Sequence, residues 1–107
     1  MSPMAAVPER SVAGVVERIE GQGWENGWVA EWKYDGQRLQ VHITRSKVSL
    51  YTRNLLDASD RFPDVCGLLA ARLRAADVDS AILDGEVVAV DEDGTMLPFQ
   101  VLSRRKR

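Results

Sequence analysis

The stretch Glu31-Trp32-Lys33-Tyr34-Asp35-Gly36-Gln37-Arg38 gathers a lysine, two kinds of acid, a glycine and an arginine into one short corner. An amine and a guanidinium that close together can neutralise a phosphate. Gly36 between them, having no Cβ, lets backbone come near such a group. Lys33-Tyr34-Asp35-Gly36 alone fits a charged surface hairpin equally well, so the tetrapeptide does not decide the matter. Further along, Leu83-Asp84-Gly85-Glu86 breaks an apolar strand pattern with acids, and a charge in that place is better suited to a ligand than to packing.

These residues need elements to hold them. Residues Val12, Val15, Val16 and Ile19 recur at helical spacing, with Ser11 as N-cap and Gly21 and Gly23 as terminators. Residues 28–34 and 38–44 alternate in character on either side of Asp35-Gly36, which predicts two strands joined by a tight turn, with Lys33 at the end of the first. A further strand over residues 48–52 completes an antiparallel meander. The spacing of Leu68, Leu69, Leu73 and Ala76 predicts a helix opening at Pro63, and residues 81–90 read as a strand before a turn at Asp93-Gly94. A last helix is expected after Pro98. The fold class is therefore α+β: a mainly antiparallel sheet with packed helices and one edge left open, through which copies could associate.

The chain has 107 residues, enough for one core. Its net charge of -2 excludes the broad positive field of an autonomous nucleic-acid binder, so any nucleic-acid contact must be local. Arg104, Arg105, Lys106 and Arg107 form the one dense basic run and read as a solvated helix end. Cys66, the single cysteine, reads as a small buried hydrophobe. No apolar run is long enough for a membrane span, and a cytoplasmic place, or a nuclear one in a eukaryote, is expected. Trp24, Trp28 and Trp32 are assigned to the core, and His42 to an exposed strand position.

The longer string Glu31-x-Lys33-Tyr34-Asp35-Gly36-x-Arg38 resembles the nucleotidyl-transfer motif of ATP-dependent DNA ligases, most closely the archaeal and eukaryotic replicative type. The likeness continues. Tyr51-Thr52-Arg53-Asn54 with Asp60-Arg61-Phe62-Pro63-Asp64 resembles the family's second block, and Leu83-Asp84-Gly85-Glu86 its third. Ser2-Pro3-Met4-Ala5 and Pro98-Phe99-Gln100-Val101-Leu102 resemble the flanking segments. Several motifs in one order make coincidence remote.

The resemblance implies a partial ATP-grasp-like nucleotidyltransferase fold, with residues 1–107 forming part of an adenylation domain that ends before the family's later motifs. It implies ATP and Mg2+ as cofactors, and nicked double-stranded DNA as partner in replication, repair and recombination. It assigns Lys33 as the nucleophile that takes AMP, Glu31 a place beside adenine, and Arg38 and Arg53 contacts to phosphate. Glu86 would bind either a ribose hydroxyl or the metal. The attack needs a free amine, whereas lysine in water is protonated at neutral pH; Arg38, Arg53 and magnesium are the expected cations beside it. Asp35 and Glu86 are expected to be compensated by a metal or an arginine. A non-catalytic nucleotide-binding fragment, an RNA ligase and a capping-type nucleotidyltransferase stand as alternatives.

Overall fold

A computed structural model describes residues 1–23 and 27–105. The chain forms two compact units, Met4–Lys33 and a larger one made of Met1–Pro3 with Tyr34–Arg107.

In the smaller unit, helix α1 spans Val12–Gly21. Ser11, in extended conformation, accepts a hydrogen bond from Gly14 N at 3.0 Å and so satisfies one of the orphan donors at the helix start. Arg18 pairs with Glu9. Beyond the helix Gly23 takes a left-handed φ of 62°, the geometry its lack of a side chain allows. The apolar stripe expected from the spacing is present, but none of its residues is buried. Residues 27–34 form no strand, contrary to the alternation read from the sequence. The tryptophans correct the core assignment: Trp32 is 86% exposed and Trp28 is also exposed, while Trp24 lies outside the described residues.

The larger unit is built on strand β1 (Gln37–Ile43), flanked by β2 (Val48–Tyr51) and β3 (Ala81–Val87) in the order β2-β1-β3, both pairs antiparallel. With both of its edges paired, β1 does not form the expected hairpin with residues 28–34. Alternation sends Leu39, Val41 and Ile43 to one face, where they meet Leu50, Ala58, Phe62 and Leu102 in the core. Phe62, Leu39 and Leu50 are fully buried, each contributing about 1.5–3 kcal/mol by leaving water.

Helix α2 (Pro63–Ala75) starts with proline at its first position, as the sequence predicts. It ends on a Schellman motif: Val78 N donates to Leu73 O at 3.0 Å and Asp77 N to Arg74 O at 3.1 Å, with Asp77 rather than glycine in the left-handed conformation. A single 3-10 turn, Ser59–Arg61, precedes it. There Ser59 Oγ accepts from Leu50 N at 2.9 Å and Ala58 N donates to Leu50 O at 2.8 Å, which covers part of the outer edge of β2. Cys66 is half-buried against the core, and burial pushes its thiol pKa up.

Strand β3 stops at Val87, three residues earlier than expected, and the chain returns through a turn in which Asp91 Oδ1 accepts from Asp93 N and Thr95 N. Gly94 supplies the left-handed φ. Helix α3 (Phe99–Ser103) follows Pro98 and inserts Leu102 into the core. Among the described residues no helix is long and apolar enough to cross a membrane.

Candidate functional site

Asp35 and Gly36 form a bend directly before β1 and are tied down on two sides. Asp35 Oδ2 accepts from Phe99 N at 3.0 Å, at the start of α3. Gly36 lies against the end of β3 so closely that a Cβ there would sit 2.1 Å from Val87 O. The glycine therefore serves a close approach of backbone to backbone. Among the described residues the Asp35 carboxylate is met by a helix N–H, a donor well suited to it. Lys33, two residues upstream, closes the smaller unit and is exposed, as is Glu31.

The face of the sheet opposite the core is polar, because the register places Arg38 across from Glu86 and Gln40 across from both Asp84 and Tyr51. Arg38 reaches diagonally to Asp84 with a two-pronged hydrogen bond, Nε to Oδ1 at 3.0 Å and Nη2 to Oδ2 at 2.6 Å. That fork holds the Asp84 carboxyl below its usual range. The same bond, with Asp84 and Glu86 as nearby charges, raises the Arg38 pKa against a smaller effect of burial.

Further along this face Gln40 is buried; its Nε2 donates to Met1 O at 2.8 Å and its Oε1 accepts from His42 Nε2 at 2.6 Å. His42 meets the Tyr51 ring edge-on at 4.8 Å between centroids, so it is half-buried rather than exposed as its alternation suggests.

Arg53 stands exposed on a tight turn closed by Thr52 N donating to Leu56 O at 2.9 Å, with Leu55 in left-handed conformation. The structure thus brings Arg38 and Glu86 together on one face and puts Arg53 on a turn leaving β2. Sequence reasoning did not single out Asp84 as the partner of Arg38. The signal was its two-residue offset from Glu86, but choosing the partner requires the strand register.

The block Asp60-Arg61-Phe62-Pro63-Asp64 is largely architectural. Arg61 and Arg105 lie over the Phe62 ring at 5.2 and 5.3 Å. Arg105 also grips Asp64 through two hydrogen bonds of 3.2 and 2.7 Å, and its guanidinium holds that carboxyl below the usual range. Of the basic run read as a solvated helix end, Arg104 is exposed, Arg105 is half-buried and paired, and Lys106 and Arg107 lie outside the described residues. A groove of about 730 Å³ lies between the turn at residues 44–47 and the C-terminal half of α2, lined by Ile43, Val48 and Leu73. It contains none of the candidate site residues.

No group of three or more His, Cys, Asp or Glu side chains converges among the described residues. With Asp84 engaged by Arg38, Glu86 is the acid of this face left exposed to a ligand. One carboxylate fits magnesium, which is commonly held by one or two acids together with substrate phosphates.

Residues 3–107 match the family described as ATP dependent DNA ligase domain. The DNA ligase of Pyrobaculum arsenaticum is 42% identical over 106 residues, covering 98% of this chain and 17% of that protein. DNA ligase 1 of Drosophila melanogaster is 41% identical over 109 residues, covering 100% of this chain and 14% of that protein. The DNA ligase of Haloarcula marismortui is 44% identical over 97 residues, covering 91% and 16% respectively. With its α+β architecture and antiparallel sheet, the chain belongs to the ATP dependent DNA ligase domain family. It spans about a sixth of the length of these curated relatives.

Proposed function

We propose that this chain supplies the nucleophile and part of the nucleotide site for adenylyl transfer in DNA strand joining. Lys33 Nζ attacks the α-phosphorus of ATP; a phosphorus–nitrogen bond forms, the bond to pyrophosphate breaks, and the amine gives up a proton. The AMP then passes from Lys33 to the 5′-phosphate at a nick. Arg38 and Arg53 serve the phosphates, Glu31 the adenine, and Glu86 the ribose or magnesium. Magnesium, when bound, neutralises phosphate charge. Such work on DNA places the protein in the cytoplasm, or in a eukaryotic nucleus.

The observation that carries this reading is the family match over residues 3–107, which includes Lys33-Tyr34-Asp35-Gly36 joined directly to a strand whose outer face sets Arg38 opposite Glu86. Incubation with radiolabelled ATP or GTP, followed by mass analysis of the modified peptide, tests it. AMP is expected on Lys33, with none from GTP. Both Lys33→Ala and Lys33→Arg should abolish labelling, the second because guanidinium stays protonated. Label on another lysine would sink the assignment.

A non-catalytic nucleotide-binding role is the second reading, favoured by the exposure of Lys33 and Glu31. ATP binding without AMP attachment would select it. Sealing of nicked DNA by the chain alone is expected to be far slower than by the Pyrobaculum arsenaticum ligase, since a net charge of -2 offers little to neutralise DNA phosphates. Sealing at a comparable rate would show that this segment is sufficient.

A further inference from the structure

Helix α3 begins without a cap of its own. Pro98 precedes it and offers no side-chain acceptor. The N–H of Phe99 is instead taken by Asp35 Oδ2 at 3.0 Å, from a residue 64 positions earlier. An acceptor at a helix start usually comes from the residue just before it; here it comes from the bend next to Lys33.

Helix α3 is itself held by Leu102 in the core, and the segment after it by the bond from Arg105 to Asp64. On the other side of the bend, Gly36 abuts Val87. The two residues that follow Tyr34 are thus fixed by the end of β3 and by the start of α3. The backbone that runs back from them reaches Lys33 two residues from Asp35.

We infer that Asp35 is a positioning residue for AMP uptake: its carboxylate caps α3 and so fixes the point where the backbone bearing Lys33 joins the sheet. The inference rests on the reading of Lys33 as nucleophile. A cap needs an acceptor oxygen and not a charge, so asparagine can replace aspartate in this role, whereas alanine cannot. The donor can be removed independently. Phe99 is the first residue of α3, where proline is tolerated, and Pro98 already has the extended conformation that a following proline demands.

The test compares Asp35→Ala, Asp35→Asn, Phe99→Pro, Phe99→Ala and the double variant Asp35→Ala/Phe99→Pro. AMP uptake is measured over a range of ATP and Mg2+ concentrations, and hydrogen exchange at the Phe99 amide is followed in the variants that retain it.

Asp35→Ala and Phe99→Pro should lower the maximal rate by about tenfold to a hundredfold, the scale of a misplaced reacting group. The half-saturating ATP and Mg2+ concentrations should not move. Asp35→Asn and Phe99→Ala should stay close to the wild-type rate, and the double variant should be no slower than either single one. The Phe99 amide should lose protection in Asp35→Ala and keep it in Asp35→Asn. A wild-type chain that takes up AMP while Asp35→Asn is as slow as Asp35→Ala, or needs more Mg2+, overturns this inference alone. A wild-type chain that takes up no AMP overturns the reading of Lys33 as well.

Discussion

Strands β1 and β3 lie side by side in full register and have similar apolar content, yet they differ in fate. In β1, Leu39, Val41 and Ile43 are buried; in β3 everything from Ile82 to Glu86 is exposed. Leu83 sits directly opposite Val41 and is 40% exposed against 7%. The cause is the second layer. Helix α2 packs chiefly on the β2 side, through contacts to β2 and the 3-10 turn, while only the ends of β3, at Ala81 and Val87, reach the core. Burial is thus set by what lies below a strand, while the candidate ligand residues need only the strand's register. The strand carrying Glu86 can afford exposure; the strand that follows Lys33 is fixed by the core.

The largest expected effect tests that contrast directly. Leu39→Ala, at a fully buried position, should lose about 2–5 kcal/mol of stability. Leu83→Ala, on the same face of the neighbouring strand, should lose about 1 kcal/mol. Urea unfolding of both variants decides it. Equal losses would mean that β3 is covered as well as β1.

Gly36→Ala comes next. A Cβ would stand 2.1 Å from Val87 O and 2.9 Å from Val87 C, both backbone atoms that cannot swing aside. Relief requires the bend to leave the end of β3, at an expected cost of about 1–3 kcal/mol, the usual range for overpacking. Since the bend also carries Asp35, the Phe99 amide should lose protection from hydrogen exchange in this variant. Wild-type stability and protection would show that the approach is looser than described.

A smaller effect concerns association. Among the described residues no strand pairs with the outer edge of β3, and Ile82 and Leu83 are exposed beside it. The chain should therefore show concentration-dependent association in sedimentation, and Ile82→Lys should reduce it with little change in unfolding midpoint, because charge on an open edge blocks strand addition. Association unchanged by this substitution would move the contact to another surface.

Much of this was legible in the sequence where the signal is local. Ser11 as cap, Pro63 as helix start, the β1–β2 meander and the turn at Gly94 each depend on neighbours within a few residues. Residues 28–34 have the alternation of a strand but do not pair with β1, both of whose edges are taken, one of them by β3 some forty residues away. The apolar stripe of α1 likewise states a preference that burial does not fulfil. For the candidate site, residue types came from the motif, whereas the links that hold them did not. The Asp35 cap on Phe99 and the Arg38 fork on Asp84 join positions 64 and 46 residues apart.

That fork provides the smallest expected effect and the last test of the contrast, because it ties β3 to β1 on the face where no apolar layer helps. Asp84 has its folded pKa lowered, chiefly by the hydrogen bond from Arg38. A carboxyl whose pKa is lower folded than unfolded stabilises the fold above the unfolded pKa of about 3.9, and the contribution disappears as pH falls through the lower folded value. The difference in melting temperature between wild type and Asp84→Asn should thus be present at pH 6, shrink below about pH 4 and vanish in stronger acid. The pair is partly solvent-exposed, so the effect should be small and should fall further with added salt. If the difference grew on acidification, the carboxylate would be destabilising when charged, and Arg38 would not be holding the two strands together.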